Sequence, residues 1–253
     1  MTHLYRCVFE LMEPVFFSSR EIGNYYQTEP LFGNYALAYA FGLCVSPYRN
    51  PGQVAYKQDL GGLNQRGLYV TPGTIIGAPR FTIGEFNAQT DTYWYAMGNN
   101  LLVTRPDGMW AEGRSGSWYV MDRPGERGRK LNVENRPQNG RIRYLAIGNR
   151  ATCYVFSAEP VALPRYIRLG KFMSKARVAV EELSIRPEQV NQQQTAILLN
   201  PVDLPPDVTL MPLDIVNVPP AALVRSGLIT GMCYRIDRES YLPVGMRFGV
   251  DFL

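Results

Sequence analysis

Histidine is the scarcest resource in this sequence. Its 253 residues include one, His3, beside the N-terminus. Ser–His–Asp and Cys–His nucleophile systems and multi-histidine metal centres each need an imidazole in defined company, so those classes have nothing to build on. Cysteine is nearly as sparse: Cys7, Cys44, Cys153 and Cys233 lie far apart, with no C-x-x-C pair. Neither a disulfide framework nor a zinc site is expected, and three of the four, in apolar surroundings, read as buried thiols. The G-x-x-x-x-G-K-[ST] and G-x-G-x-x-G phosphate loops are both missing; Gly125 and Gly128 sit among cations at a spacing that fits neither. Neither cofactor nor metal is therefore expected. No run of 18 apolar residues exists, and Arg6 and Glu10 interrupt the N-terminal apolar pattern where a signal peptide would need continuity. The expectation is a soluble, cytoplasmic chain.

Charge is also thin, at 19% of residues, against 46% hydrophobic and 12% aromatic, with 16 tyrosines. That balance supports a real core and argues against disorder. The net charge of +4 is unevenly spread. Residues 105–150 hold ten Lys/Arg against five Asp/Glu, and residues 165–177 hold five cations and no acid, leaving −6 for the remainder. A basic surface on an acidic body is the footprint of phosphate binding; a solvated arginine-rich loop is the bland alternative.

Periodicity gives the organisation. Residues 4–12 alternate as a strand, with Tyr5, Cys7, Phe9 and Leu11 on one side. After a loop through Phe17, Arg20, Gly23 and Tyr25, the sequence predicts a helix capped by Thr28, with Pro30 in its first turn and Leu31, Tyr35, Tyr39 and Leu43 on one face. From 45 to 160 no second long helical pattern is visible. Short apolar runs at 67–70, 80–83, 92–96 and 117–120 separated by turn residues predict hairpins. Residues 122–141 read as an exposed basic loop or hairpin tip, and 141–147 as a strand. One extended strand is expected over 165–180, with Lys171, Met173, Lys175 and Arg177 on one face and Phe172, Ala176, Val178 and Val180 on the other. Residues 186–196, rich in glutamine, fit a short helix or a surface loop, and 221–229 a short helix or strand. Strands are expected at 232–236 and 244–252. The class is α+β in one elaborated domain, 1–253, with 45–160 a β-rich elaboration.

Chemistry is harder to find than binding. Glu181 and Glu182 are adjacent, hence on opposite faces of a strand, and read as a solvated strand end. Metal-independent RNA cleavage by a tyrosine or lysine of shifted pKa stays open. Cations interleaved with aromatics favour nucleic acid, since Lys and Arg meet phosphates while aromatics stack on unpaired bases. Arg165, Tyr166 and Arg168 stand beside Lys171 and Phe172; Trp118 and Tyr119 precede the 123–130 cations; Arg20 is near Tyr25 and Tyr26. Gly170 would admit a close backbone approach or mark a bulge.

Three segments resemble a known family. They are Tyr5 to Gly23 (YRCVFELMEP, then FSSREIG), Thr28 to Tyr39 (TEPLFGNYALAY) and Tyr166 to Arg177 (YIRLGKFMSKAR). They resemble the Csc-type RAMP protein of the CRISPR subtype I-D Cascade complex, the small subunit that caps the crRNA 5′ end. The resemblance implies a ferredoxin-like (RRM-like) core with an inserted β-rich hairpin or thumb. It also implies a non-catalytic role: holding the crRNA 5′ handle, joining the large subunit to the backbone filament, and helping place target DNA near the PAM. Processing of the CRISPR repeat RNA by the chain itself is the alternative. The residues expected to meet RNA are Arg20, Tyr25, Arg165, Arg168, Lys171, Lys175 and Arg177. Thumb or target-DNA contacts are expected from Arg123, Arg127, Arg129, Lys130, Arg141 and Arg143.

Overall fold

The structure, a computed structural model, describes residues 2–44, 55–88, 102–104, 109–114, 117–130, 138–238 and 240–250. Strands dominate. In chain order they are β1 (His3–Leu11), β2 (Arg20–Ile22), β3 (Tyr25–Gln27), β4 (Leu31–Phe32), β5 (Tyr69–Val70), β6 (Gly73–Ile75) and β7 (Phe81–Ala88). Next come β8 (Leu102–Thr104), β9 (Trp110–Arg114), β10 (Ser117–Met121), β11 (Arg129–Lys130), β12 (Gln138–Leu145) and β13 (Arg150–Ser157). The last are β14 (Tyr166–Leu169), β15 (Ser174–Glu182), β16 (Pro187–Thr195), β17 (Thr209–Val216), β18 (Leu223–Asp237) and β19 (Ser240–Pro243). Two α-helices occur among the described residues, α1 (Asn34–Ala40) and α2 (Tyr56–Gln65). The chain is thus mostly β, less helical than the α+β class expected.

The contacts divide the chain into two compact units. The first comprises Met1–Glu21, Gln27–Thr82 and Arg143–Leu253. Its main sheet runs β14-β15-β1-β13-β6-β4, with β5 also on β13. β1 is central and antiparallel to both neighbours, Cys7 facing Cys153 on one side and Val180 on the other. Alternation explains its place: Tyr5, Cys7, Phe9 and Leu11 are buried, while Arg6, Val8 and Glu10 stay half-exposed. Burying a side chain such as Phe9 contributes about 1.5–3 kcal/mol. The late basic strand, β15, thus lies directly beside the first. A second sheet, β16-β18-β17 with β19 on β18, completes this unit.

Helix α1 begins at Asn34, not after Thr28. The residues expected in its first turn, Leu31 and Phe32, instead pair with β6 as β4. The Thr28 hydroxyl is occupied elsewhere, within 3.1 Å of both Phe17 N and Phe17 O. Gly42 closes the helix: at φ 71° it adopts the left-handed conformation, its N–H bonding Tyr39 O while Leu43 N–H returns to Ala38 O. That pair of bonds is a Schellman end, which favours glycine. Helix α2 was not expected. It buries only Leu60 and Leu63, and Gly61 and Gly62 dilute its periodicity. The Tyr39 hydroxyl donates to Asp59 Oδ2 at 2.7 Å, tying the two helices.

Other expectations need correction. The strand read over 165–180 is a hairpin, β14 and β15, turning at Gly170–Met173. Residues 187–195 form β16 rather than a helix or loop, whereas 223–229, read as a short helix or strand, are strand, the start of the 15-residue β18. The last strand among the described residues ends at Pro243, and 244–250 are not strand; 251 and 252 lie outside the described residues. The 92–96 run lies outside the described residues. All four cysteines are buried free thiols.

A buried carboxylate has no counterpart in the sequence reading. Asp203 is 1% exposed. Its Oδ2 accepts from Asn34 Nδ2 at 2.6 Å and the Tyr69 hydroxyl at 2.9 Å, and its Oδ1 from Gly249 N–H at 2.8 Å. Burial pushes its carboxyl up to about 7, against the pull of these hydrogen bonds.

The second unit comprises Ile22–Tyr26 and Ile83–Ile142. It contains the sheet β11-β10-β9-β8, in which Tyr119 faces Lys130 and Val120 faces Arg129. Ala111, Val120, Met121 and Ile142 are buried. The order β2-β3-β12-β7 describes the remaining sheet. Residues 138–140, expected in the exposed loop or hairpin tip, are strand and run on into the strand expected from 141, where Ile142 is buried.

Candidate nucleic-acid interface

The β14–β15 hairpin carries the cation cluster. Its alternation holds where the strands are regular: Ser174, Ala176 and Val178 are buried, while Lys175 and Arg177 face outward. Tyr166 and Arg168 face outward on β14, with Ile167 and Leu169 inward. Cross-strand neighbours on the outer face are Tyr166 with Arg177 and Arg168 with Lys175. Val180, expected inside, is 43% exposed. Lys171, Phe172 and Met173 belong to the turn, so face alternation does not apply to them; Phe172 is 59% exposed rather than buried.

The turn is fixed to the loop after β1. Lys171 N–H donates to Phe16 O at 2.9 Å, Ser174 Oγ to Pro14 O at 2.7 Å and Lys175 N–H to Glu13 Oε2 at 2.7 Å. Gly170 has φ 72°, and a Cβ there would stand 2.4 Å from Phe16 O. Glycine is needed both for its backbone and for the close approach of another chain segment. The rings of Phe16 and Phe172 stack, with centroids 5.6 Å apart at 24°, and Tyr144 closes the cluster at 5.9 Å from Phe16.

The structure adds acids that the local sequence lacks. Arg177 Nη2 meets Glu10 Oε2 at 2.8 Å, and Arg168 Nη1 lies 3.6 Å from Glu13 Oε2 while donating to Met173 O at 3.1 Å. Arg20 Nε meets Glu29 Oε1 at 2.7 Å. Arg168, Arg177 and their acids are largely exposed, where such pairs contribute about 0–1 kcal/mol, so a phosphate can compete for them; Glu29 is only 12% exposed, which holds Arg20 more firmly. The lysines use rings instead: Lys175 Nζ sits 4.3 Å from the Tyr166 centroid and Lys171 Nζ 5.8 Å from that of Phe16. Cation–π contact leaves the ammonium donors open. Arg165 is exposed, its carbonyl accepting from Val178 N–H. Beside the turn lies a cavity of about 290 Å³, lined by Lys171, Ser18, Ser19, Asn34, Tyr56 and Pro219 among others.

In the second unit Tyr25 and Arg141 line one open concavity with Asn24, Ile83, Glu85 and Phe86, and Arg141 Nε lies 3.3 Å from Glu85 Oε1. Arg123 and Arg127 are exposed in the turn after β10, and Arg129 and Lys130 on β11. Arg143 departs from expectation. It belongs to the first unit, half-buried, its guanidinium 4.4 Å from the Phe81 ring centroid and its Nη2 donating to Thr28 O at 3.4 Å. It holds the fold together rather than projecting from a thumb.

Sequence reasoning missed Glu10 and Glu13, because they lie more than 150 positions from the cations they face. It also missed Phe16, whose carbonyl and ring anchor the turn. His3 has Nδ1 2.6 Å from Glu182 Oε1, and Arg6 Nη2 meets Glu181 Oε2 at 2.6 Å. The two glutamates are exposed, but each is paired.

A mostly-β chain presenting cations and aromatics on an edge hairpin falls, on comparison, into the class of CRISPR-associated proteins. The family model described as type I-D CRISPR-associated protein Cas5/Csc1 matches residues 2–251, and the chain belongs to that family. The resemblance carried by the three sequence segments is therefore correct. A search of curated proteins found no match. Among solved structures, a chain in the cryo-EM structure of the type III-B Cmr-β complex bound to cognate target RNA and AMPPnP is similar at 13% identity. That alignment covers 90% of this chain and 85% of the other, with a TM-score of 0.39. No helix among the described residues is long and apolar enough to cross a membrane.

Proposed function

We propose that this chain is a non-catalytic crRNA-binding subunit of a type I-D CRISPR interference complex, and that its β14–β15 hairpin grips the backbone of the crRNA 5′ handle. One observation carries the reading: Lys171, Lys175, Arg168 and Arg177 stand on a hairpin pinned by backbone and side-chain hydrogen bonds to the loop after β1. A pinned hairpin presents its charges without first having to order them. Sequence is read by guide pairing in such complexes, while protein grips backbone and shape. Arg165, Arg20 and Tyr25 extend the RNA contact set. Arg123, Arg127, Arg129, Lys130 and Arg141 are assigned to target DNA near the PAM. The large subunit and the backbone subunits are the assigned protein partners, in a cytoplasmic complex.

We read the core as ferredoxin-like. The order β15-β1-β13-β5, all antiparallel, supports this, with both helices in the crossover from β1 to β5. The second crossover, residues 158–165, has no helix. The test is titration of handle RNA at several salt concentrations. Each phosphate contact removed by Lys171→Ala or Lys175→Ala should weaken binding and flatten the log K against log salt slope by about 0.7. Unchanged affinity and slope in both would leave the hairpin a solvated face.

A further inference from the structure

Phe172 has no core to fill. It is 59% exposed at the tip of the β14–β15 hairpin, and one face of its ring is covered by Phe16, itself 5% exposed. Isolated exposed apolar residues are ordinary; two features separate this one. It does not hang on a loose loop, because the backbone on both sides is bonded to the loop after β1, and Met173 is held at φ 54° with its N–H on Gly170 O. It also stands within a run of five cations, next to Lys171, whose ammonium lies over the supporting Phe16 ring. A second exposed aromatic on the same hairpin, Tyr166 at 52%, is likewise partnered by a lysine.

We propose that Phe172 is a stacking platform for one unpaired nucleobase of the bound RNA, continuing the Phe16–Phe172 stack outward while Lys171 takes an adjacent phosphate. The inference rests on the RNA-binding reading above and adds the base contact to it. Charge complementarity favours this occupant over an apolar protein surface, because a partner docking there must desolvate the surrounding cations without phosphates to meet them. With Phe16 stacked on it and Tyr144 tilted beside it at 6.3 Å, a ring still 59% exposed presents a flat surface at low entropic cost, and every base has a matching π-face. The contact is therefore tolerant of sequence.

The test uses the full chain with a 12-nucleotide single-stranded oligoadenylate and an abasic oligomer of equal length. The wild type binds both in a salt-dependent way, the oligoadenylate more tightly. Phe172→Ala and Phe172→Leu lose about 5- to 100-fold for oligoadenylate, leave abasic binding and the salt slope unchanged, and keep the unfolding midpoint. Phe172→Trp retains or gains affinity. If Phe172→Leu binds oligoadenylate as the wild type does, the platform is overturned while the backbone-gripping role stands, and the tip is left for a protein partner. If the wild type binds neither oligomer, the RNA-binding reading and the platform fall together.

Discussion

Arg177 lies directly opposite Glu10 across the β1–β15 ladder, and their side chains meet at 2.8 Å. A cation of the hairpin's outer face is therefore already partnered by an acid from the centre of the sheet. Glu10→Gln should release it, raising RNA affinity up to about fivefold, the scale of an exposed ion pair. The salt slope should steepen by about 0.7 if Arg177 then takes a phosphate. Filter binding across a salt series reads both quantities. No change in either would mean that Arg177 faces away from the RNA path.

Gly170 offers a sharper test of the hairpin's rigidity. Gly170→Ala combines a left-handed backbone with a Cβ 2.4 Å from Phe16 O. The substitution should cost more than about 1 kcal/mol in denaturant unfolding and should weaken RNA binding beyond what lost stability explains. A variant that binds RNA normally despite the strain would show that the turn need not be held in place.

Asp203 predicts a pH dependence of stability. Its folded value, about 7, lies above its ordinary 3.8, so the folded state keeps a proton that the unfolded state has released. Stability from this group is full below about pH 4 and is lost as pH rises through 7. The total is on the order of a few kcal/mol. Thermal unfolding of the wild type should therefore show a falling contribution between pH 4 and 7 that is missing in Asp203→Asn. Parallel pH profiles for the two proteins would mean that Asp203 is ionised in the fold.

Asp203 also marks the boundary of what was legible in the sequence. Strand β1 declared itself because one face is buried and one is not, and its period of two survives along nine residues. The cation cluster was visible for the same reason. The hairpin was not, because Lys171 and Met173 continue the alternation of Lys175 and Arg177 straight through a turn. Gly170, read as a bulge or a point of approach, was the one residue marking the break. Helix α2 was hidden by its glycines and by burying only two leucines. Partners such as Asn34 and Tyr69, 169 and 134 positions from Asp203, leave no local trace at all. The same distance concealed Glu10 and Glu13, and with them how far the basic face is offset by acids.

The remaining alternative, that the chain cuts repeat RNA itself, meets a geometric demand. Cleavage needs a proton acceptor and a donor within hydrogen-bond reach of the 2′-OH and the leaving oxygen. The one imidazole, His3, starts β1 and is engaged by Glu182 at 2.6 Å. Glu182 lies at the end of β15, whose other end, Ser174, borders the hairpin turn; a strand rises about 3.3 Å per residue, so the imidazole lies roughly 17 Å along the sheet from Arg177 and roughly 26 Å from the turn. The tyrosines that burial drives furthest upward, Tyr39 and Tyr69, spend their hydroxyls on Asp59 and Asp203. A raised value also makes a tyrosine a poorer base at neutral pH. Repeat RNA incubated with excess protein in EDTA should therefore stay intact, and His3→Ala should bind handle RNA as the wild type does. Site-specific cuts at the base of the repeat hairpin, lost in a Lys171 or Tyr166 variant but kept in a control at Leu213→Ala, an exposed position of β17 outside the hairpin, would overturn the non-catalytic assignment.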